Sequence, residues 1–217
     1  GNKGSEAIQA ISSSLAAAGI TAAVKEITEN VYEMTEAFSE AESTVVKATG
    51  ATGETLDSLM SSTMDAYAQS RTGTLNDTAA AIGEINTRMG LTGPILTDVT
   101  GKFLDYASIT GTNVVGSVQN VTKVMNQWGI EADQVESVMD KLAYAGQISG
   151  ASVDNLSQTL ITGAATFQSA GLSIDSTISM LADFELAGIS GTTAVTGLRT
   201  AVNNFTKDGR DADTALI

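Results

Sequence analysis

The chain has 217 residues, 42% of them hydrophobic but only 5% aromatic, so a core has to be built from Ala, Val, Ile, Leu and Met. The absence of His and Cys from the sequence excludes imidazole and thiolate catalysis, zinc sites with nitrogen or sulfur ligands, and disulfides. The net charge of −14 repels phosphate backbones and anionic lipid headgroups, so we expect no direct nucleic-acid binding.

The N-terminal segment, residues 1–48, predicts a long helix that is broken or staggered over roughly residues 5–48, with a change of phase at Gly19. Its residues 7–24 carry no charge for 18 positions, which approaches the length that spans a bilayer. Ser, Thr and Gln side chains interrupt this run and much of it is Ala, which favours a packed helix over a membrane-active one.

From Ile20 onward the apolar residues follow a heptad pattern. Their spacings alternate between four and three residues, and the charged residues lie outside the pattern. This heptad seam consists of Ile20, Val24, Ile27, Val31, Met34, Phe38, Ala41 and Val45. Since burying such a stripe is favourable, it either packs on the chain's own helices or pairs with identical chains. We expect a parallel homo-oligomer, because Phe38 and the small flanking residues favour three or more helices.

Residues 49–206 predict an array of short helices. Glycine recurs at intervals of 18–21 residues between helical apolar stripes, and several glycines are followed by a Ser or Thr and then an Asp or Asn. This order is typical of a glycine that ends one helix and a hydroxyl that caps the next. The recurring glycines are Gly90, Gly111, Gly129, Gly150, Gly171 and Gly191. We expect Gly129, Gly150 and Gly171 to end helices, at least two of them with positive φ.

Short connections predict that these helices are antiparallel to their neighbours. No segment alternates in the manner of a strand, so the predicted fold class is all-α: a long N-terminal heptad helix followed by an array of short, glycine-punctuated antiparallel helices. The spacing between the recurring glycines is shorter than the helix pairs of known solenoids, which measure about 33–47 residues, and this argues against that architecture.

Few residues offer chemistry. Asp208, Asp211 and Asp213 lie in residues 207–217, an acidic tail or the start of another element, and their spacing does not match a calcium-binding loop. Thr44 and Lys47 are one helical turn apart, but nothing near them suggests an oxyanion hole. The sequence contains no glycine-rich phosphate loop. We therefore predict that the chain is not an enzyme and has no catalytic, metal or cofactor site.

Six phrases of the sequence carry a family resemblance. They are Phe38-x-x-Ala41 leading through Val45 to residues 49–53, then residues 80–93, 103–112, 128–130, 187–191 and 197–201. In this order and spacing they resemble the core region of the siphophage-type phage tail tape-measure family, over roughly residues 35–206. The chain departs from the family at Gly197, where threonine or alanine is common. It also lacks the coiled and membrane-spanning stretches of a full tape measure, and so resembles one segment of a larger protein.

The resemblance implies a virion structural protein in the lumen of the tail tube, present in the host cytoplasm during assembly. There a tape measure sets tail length during assembly and is released ahead of DNA at ejection. The implied partners are further copies of the chain, the tail tube protein, tail assembly chaperones and tail-tip or baseplate proteins. The resemblance also implies contact with the host membrane during ejection.

Two other functions stay open from the residues alone. A membrane-active helical protein of the pore-forming kind would insert residues 7–24, and leakage of liposomes would reveal it. A carboxylate-dependent cell-wall hydrolase would need a pair of acidic residues in a cleft, and a zymogram on bacterial cell wall would detect it.

Overall fold

The structure, a computed structural model, describes the backbone of residues 21–70 and 72–207 and the side chains of residues 32–70 and 72–204. The regular structure among these residues is helical, with no strand, so the all-α prediction is confirmed. The helices are α1 (Thr21–Thr49), α2 (Gly53–Gln69), α3 (Leu75–Met89), α4 (Gly93–Thr110), α5 (Val114–Trp128), α6 (Val135–Ser149), α7 (Val153–Ser169), α8 (Ile174–Leu186) and α9 (Gly191–Lys207). A short 3₁₀ turn, Ala132–Gln134, precedes α6.

The helices form two layers. Short connections make consecutive helices antiparallel, and each helix also packs beside the second one along the chain. The first layer therefore contains α1, α3, α5, α7 and α9, and the second layer α2, α4, α6 and α8. Because consecutive helices are antiparallel, the helices within a layer run parallel. In α1 and α3, for example, the Thr44 hydroxyl donates to Asn76 near the start of α3, and the Thr87 hydroxyl near the end of α3 donates to the Ala48 carbonyl. An array in which each unit contacts only its neighbours is an α-solenoid.

The repeating unit is a pair of helices, one from each layer. Helices α3, α5 and α7 begin 39 residues apart, and their N-caps recur at the same interval. Thr74, Asn113 and Ser152 each accept a hydrogen bond from the backbone N–H three residues on, which satisfies a helix N–H that has no partner within the helix. The interval between the recurring glycines is only about half of this repeat. The expectation that it argues against a solenoid is wrong, because each repeat contributes one helix to each layer.

Glycines end three of these helices as predicted. Gly129 and Gly150 cap α5 and α6 with φ of 63° and 77°, and Gly171 follows the end of α7 with φ of 74°. This left-handed conformation favours glycine and lets the chain bond the last helical carbonyls. Gly191 is different, because it begins α9, and α8 is instead ended at Gly188. The missing side chain of Gly191 leaves room for Thr159 of α7, so this glycine serves close packing.

Helix α1 runs from Thr21 to Thr49, and the predicted helix upstream of Thr21 lies outside the described residues. Its C-terminal end is part of the core, where Ala41 and Val45 are fully buried. Upstream of this end, the described side chains from Tyr32 to Glu40 are exposed or half-buried. Of the predicted tail, residues 208–217 lie outside the described residues.

The core consists mainly of aliphatic side chains and alanine, as the low aromatic content predicts. Phe103 and Phe167 are the largest fully buried side chains among the described residues. Trp128 covers Phe167, with ring centroids 6.4 Å apart, and donates its Nε1–H to the Leu160 carbonyl at 3.1 Å. Buried threonines such as Thr100 donate their hydroxyl to the carbonyl four residues earlier. This bond lets a threonine-rich helix be buried without an unpaired hydroxyl.

Candidate interaction surfaces

The described part of the heptad seam is divided between the core and the surface. Ala41 and Val45 are fully buried within the chain, whereas Met34 is 71% exposed and Phe38 41% exposed. The backbone of Val24, Ile27 and Val31 is helical, and Ile20 lies outside the described residues. The end of α1 near Val45 thus packs on the chain's own helices, and Met34 and Phe38 leave an apolar surface upstream of it.

Neither a metal site nor a membrane span is found in the residues that the structure describes. Over these residues, no three acidic side chains are grouped closely enough to hold a metal ion. No helix among α1–α9 combines the length and hydropathy needed to cross a membrane. The candidate acidic residues Asp208, Asp211 and Asp213, and residues 7–20 of the uncharged run, lie outside this part of the chain.

Two lysines connect neighbouring helices of the second layer. Lys102 Nζ lies 2.6 Å from Glu136 Oε2, and Lys141 Nζ lies 2.7 Å from Asp175 Oδ1. The two lysines are separated by one repeat length, and so are their partners, so one ion pair recurs in successive repeats. These side chains are substantially exposed, and each such pair adds little to stability. Their recurrence shows that the outer surface of the second layer carries the same charged groups in successive repeats.

Two side chains of α4, Lys102 and Tyr106, have shifted pKa values. Hydrogen bonds to Glu136 and then to Asp98 raise the pKa of Lys102. Because the shift is upward, its contribution to stability is present below the ordinary lysine pKa and is lost only as the pH rises through the folded-state pKa. Burial, with a smaller contribution from the charge of Asp154, raises the pKa of Tyr106. Neither shift brings a group into titration at neutral pH.

Beside the ion pairs lie two equivalent grooves. The groove between α4 and α6 has a volume of about 190 Å³ and is lined in part by Lys102 and Ile109. The groove between α6 and α8 has a volume of about 230 Å³, with Lys141 and Ile148 at the corresponding positions. Each residue lining the first groove has a counterpart one repeat later in the second. Small-molecule sites usually measure about 300–1,000 Å³, so these grooves are of a size to receive single side chains.

Charge is divided unevenly between the layers. The four helices of the second layer contain ten acidic residues and two lysines, whereas α3, α5, α7 and α9 of the first layer contain three acidic and four basic residues. Helix α1, the remaining helix of the first layer, contains six acidic residues and two lysines. Acidic residues in a first helical turn, such as Glu136 and Asp175, complement the helix dipole. Asp183 and Glu185 lie in the last turn of α8, where the dipole disfavours negative charge. Helix stability therefore does not explain the whole acidic surface.

Exposed apolar side chains share the same layer. We call Met64, Tyr67, Ile109, Tyr144, Ile148 and Leu186 the apolar stripe; all are at least 40% exposed. Each lies in the C-terminal half of its helix, and the second-layer helices are parallel, so the stripe crosses α2, α4, α6 and α8 along one edge of the layer. Ile95 is exposed at the opposite end of α4. Among the described side chains of α3, α5, α7 and α9, no large hydrophobic one is exposed.

The sequence-based predictions did not identify this surface. They assigned the apolar periodicity to buried helix faces and did not separate the helices into two layers. A signal was present, because adjacent intervals between the recurring glycines add to 39–42 residues and the two lysines lie 39 residues apart. The exposed stripe itself could be recognised only after alternate helices had been assigned to one layer.

The fold and its repeated outer surface define a helical-repeat protein that presents a long face to its surroundings. The model of the phage-related minor tail protein family matches residues 65–216, more than half of the chain, and the chain belongs to this family. The tape measure protein of Pneumococcus phage Dp-1 is 29% identical over 110 residues, which make up 51% of this chain and 10% of that protein. The chain thus spans about a tenth of the length of this relative. No solved structure matches the chain.

Proposed function

We propose that the chain is a structural segment of a tape-measure protein, which lies in the lumen of the tail tube, sets tail length during assembly and leaves ahead of the DNA at ejection. Membership of the minor tail protein family and similarity to a phage tape measure protein support this proposal. The proposed role is structural and requires no catalytic residue or cofactor.

The observation that carries the proposal is the 39-residue repeat. A solenoid grows in one dimension, because each repeat contacts only its neighbours and adds a similar rise along the axis. In such an architecture the length along the axis is proportional to the number of residues. A protein that measures the length of a tube needs this proportionality.

Deleting residues 114–152 in frame, in the phage that encodes this segment, should shorten the tail by a fixed amount. The deletion removes α5 and α6 and places Asn113 directly before α7, where it can cap that helix in place of Ser152. If the segment is drawn out as a continuous helix in the tube, one repeat corresponds to about 60 Å. If it remains a solenoid, one repeat corresponds to about 10 Å. Electron microscopy of tails measures the difference.

Asn126→Ser is the control for this deletion, since it changes an exposed residue of the same repeat without changing the chain length. Tails of unchanged length in both variants would contradict a measuring role. Tails of scattered length in the deletion variant alone would show that the segment is needed for assembly without acting as a ruler.

The proposed partners are further copies of the chain, the tail tube protein, tail assembly chaperones and tail-tip or baseplate proteins, with host membrane contact during ejection. Of these interactions, self-association is the one for which α1 has a suitable exposed surface. Met34 and Phe38 are exposed upstream of the buried end of the seam. A bundle of parallel α1 helices would cover these side chains, and we place the homo-oligomer contact there.

Met34→Glu should reduce the mass of this oligomer toward that of a monomer, because it puts a charge into the proposed interface without touching the core. Tyr32→Glu is the matched control: Tyr32 is 66% exposed on the same helix but lies outside the seam. Multi-angle light scattering measures the mass of each variant. A wild-type monomer, or equal losses in the two variants, would mean that the seam is not an oligomer contact.

A further inference from the structure

The outer face of the second layer combines three features that recur along the solenoid. It has the exposed apolar stripe, the two equivalent grooves and an excess of eight acidic over basic side chains. Exposed apolar side chains that follow one edge of a layer mark a candidate interaction site. Its occupant can be identified from the charge and size of the features.

We propose that this face binds a cationic, amphipathic polypeptide segment of another protein, which lies along the apolar stripe across α4, α6 and α8. Apolar side chains of the segment would occupy the two grooves. Lysine or arginine side chains next to them would meet the acidic residues of the face. The proposal concerns a surface of this chain and does not depend on the ruler function.

The placement of acidic and apolar side chains supports such a segment. Asp105 precedes Ile109 by one helical turn, and Asp140 precedes Tyr144 by one turn. All four are exposed, so each helix presents a carboxylate beside an apolar side chain. On α8, Asp183 and Leu186 repeat the combination. A binding segment therefore meets alternating apolar and anionic positions as it crosses the helices.

Charge excludes several other occupants. A second copy that presented the same face would bring two strongly acidic surfaces together, and like charges in contact disfavour association. Helix α1 of a second copy is acidic as well. Nucleic acids and anionic membranes carry the same sign of charge as the face. The two equivalent grooves are smaller than ordinary small-molecule sites, and together with the acidic charge of the face this favours a cationic polypeptide.

A synthetic 18-residue helical peptide of leucine and lysine is the probe, titrated against the 217-residue chain by fluorescence anisotropy. We expect it to bind, and to bind at least about tenfold more weakly to the triple variant Ile109→Ser, Tyr144→Ser, Ile148→Ser. These side chains are exposed, so the variant should keep the helical circular dichroism of the wild type. A leucine–glutamate peptide of the same length should not bind.

Ile95→Ser is the matched control, because it removes an exposed apolar side chain from α4 of the same layer, at the end opposite the apolar stripe. It should leave the affinity unchanged. Equal binding of the peptide to the wild type and the triple variant would overturn the proposal, since only diffuse charge would then be acting. The proposal would also be overturned if polylysine bound the wild type as tightly as the leucine–lysine peptide, or if the leucine–lysine peptide did not bind. Loss of self-association in the triple variant would show that the face binds a second copy instead.

Discussion

Phe167→Ala should lower the free energy of unfolding by about 3–5 kcal/mol, the range measured for deleting a fully buried phenylalanine. Phe167 has no exposed surface and stacks on Trp128 of the neighbouring helix in its layer. The substitution removes this aromatic contact and leaves a cavity between α5 and α7.

Tyr144→Ala is the control for this change, since Tyr144 is 64% exposed and its removal should change stability by less than about 0.5 kcal/mol. Urea denaturation followed by far-ultraviolet circular dichroism is the measurement. Tryptophan fluorescence is unsuitable, because Trp128 touches the substituted residue. A loss below about 1 kcal/mol for Phe167→Ala would mean that the contact between α5 and α7 is not part of the stable core.

Gly83→Ala and Gly101→Ala should change stability in opposite directions, although both exchange a helical glycine for alanine. Gly83 lies in α3 where α1 crosses it, and an added Cβ would overlap the Cβ of Ala48. Both atoms are held by helix backbones, so the helices must move apart, at a cost of about 1–3 kcal/mol. At Gly101 in α4 nothing lies within 4 Å of an added Cβ. There alanine should stabilise the protein by about 0.5–1 kcal/mol.

The double variant Gly83→Ala, Ala48→Gly tests the mechanism of this effect. It removes the overlapping Cβ from the other helix, so the two substitutions should be less destabilising together than the sum of each alone. Hydrogen exchange of the α1 amides reports whether that helix stays docked. Additive effects, or a stabilising Gly83→Ala, would show that α1 and α3 do not approach as closely as described.

Much of the helix pattern could be predicted from local residues. Gly129 and Gly150 adopt positive φ at helix ends because only glycine does so without strain. Ser152 caps α7 because its hydroxyl bonds a backbone N–H that the helix leaves free. Gly191 shows where this reasoning fails. Its role depends on Thr159 of another helix, and no local signal distinguishes a packing glycine from a terminating one.

The candidate surfaces were predictable to a smaller extent. The heptad pattern predicts that Val45 and Met34 share one stripe of α1, but it does not tell that the first is buried within the chain and the second is exposed. The periodicity of α4 and α6 likewise predicts buried faces and says nothing about Ile109 and Tyr144, which lie outside those faces. Which side of a helix faces solvent depends on how many neighbours it has, and that number is set by the array.

The sequence by itself determined the all-α fold, most helix ends and the absence of imidazole and thiolate chemistry, because these follow from residue type and from interactions within a few residues. The tertiary structure decided the two-layer arrangement, the 39-residue repeat and the gathering of acidic and exposed apolar side chains on the face of the second layer. Each of these joins residues such as Lys102 and Glu136 that are 34 positions apart. Such contacts form only when α4 and α6 pack side by side, and the helical period of either segment does not encode that pairing.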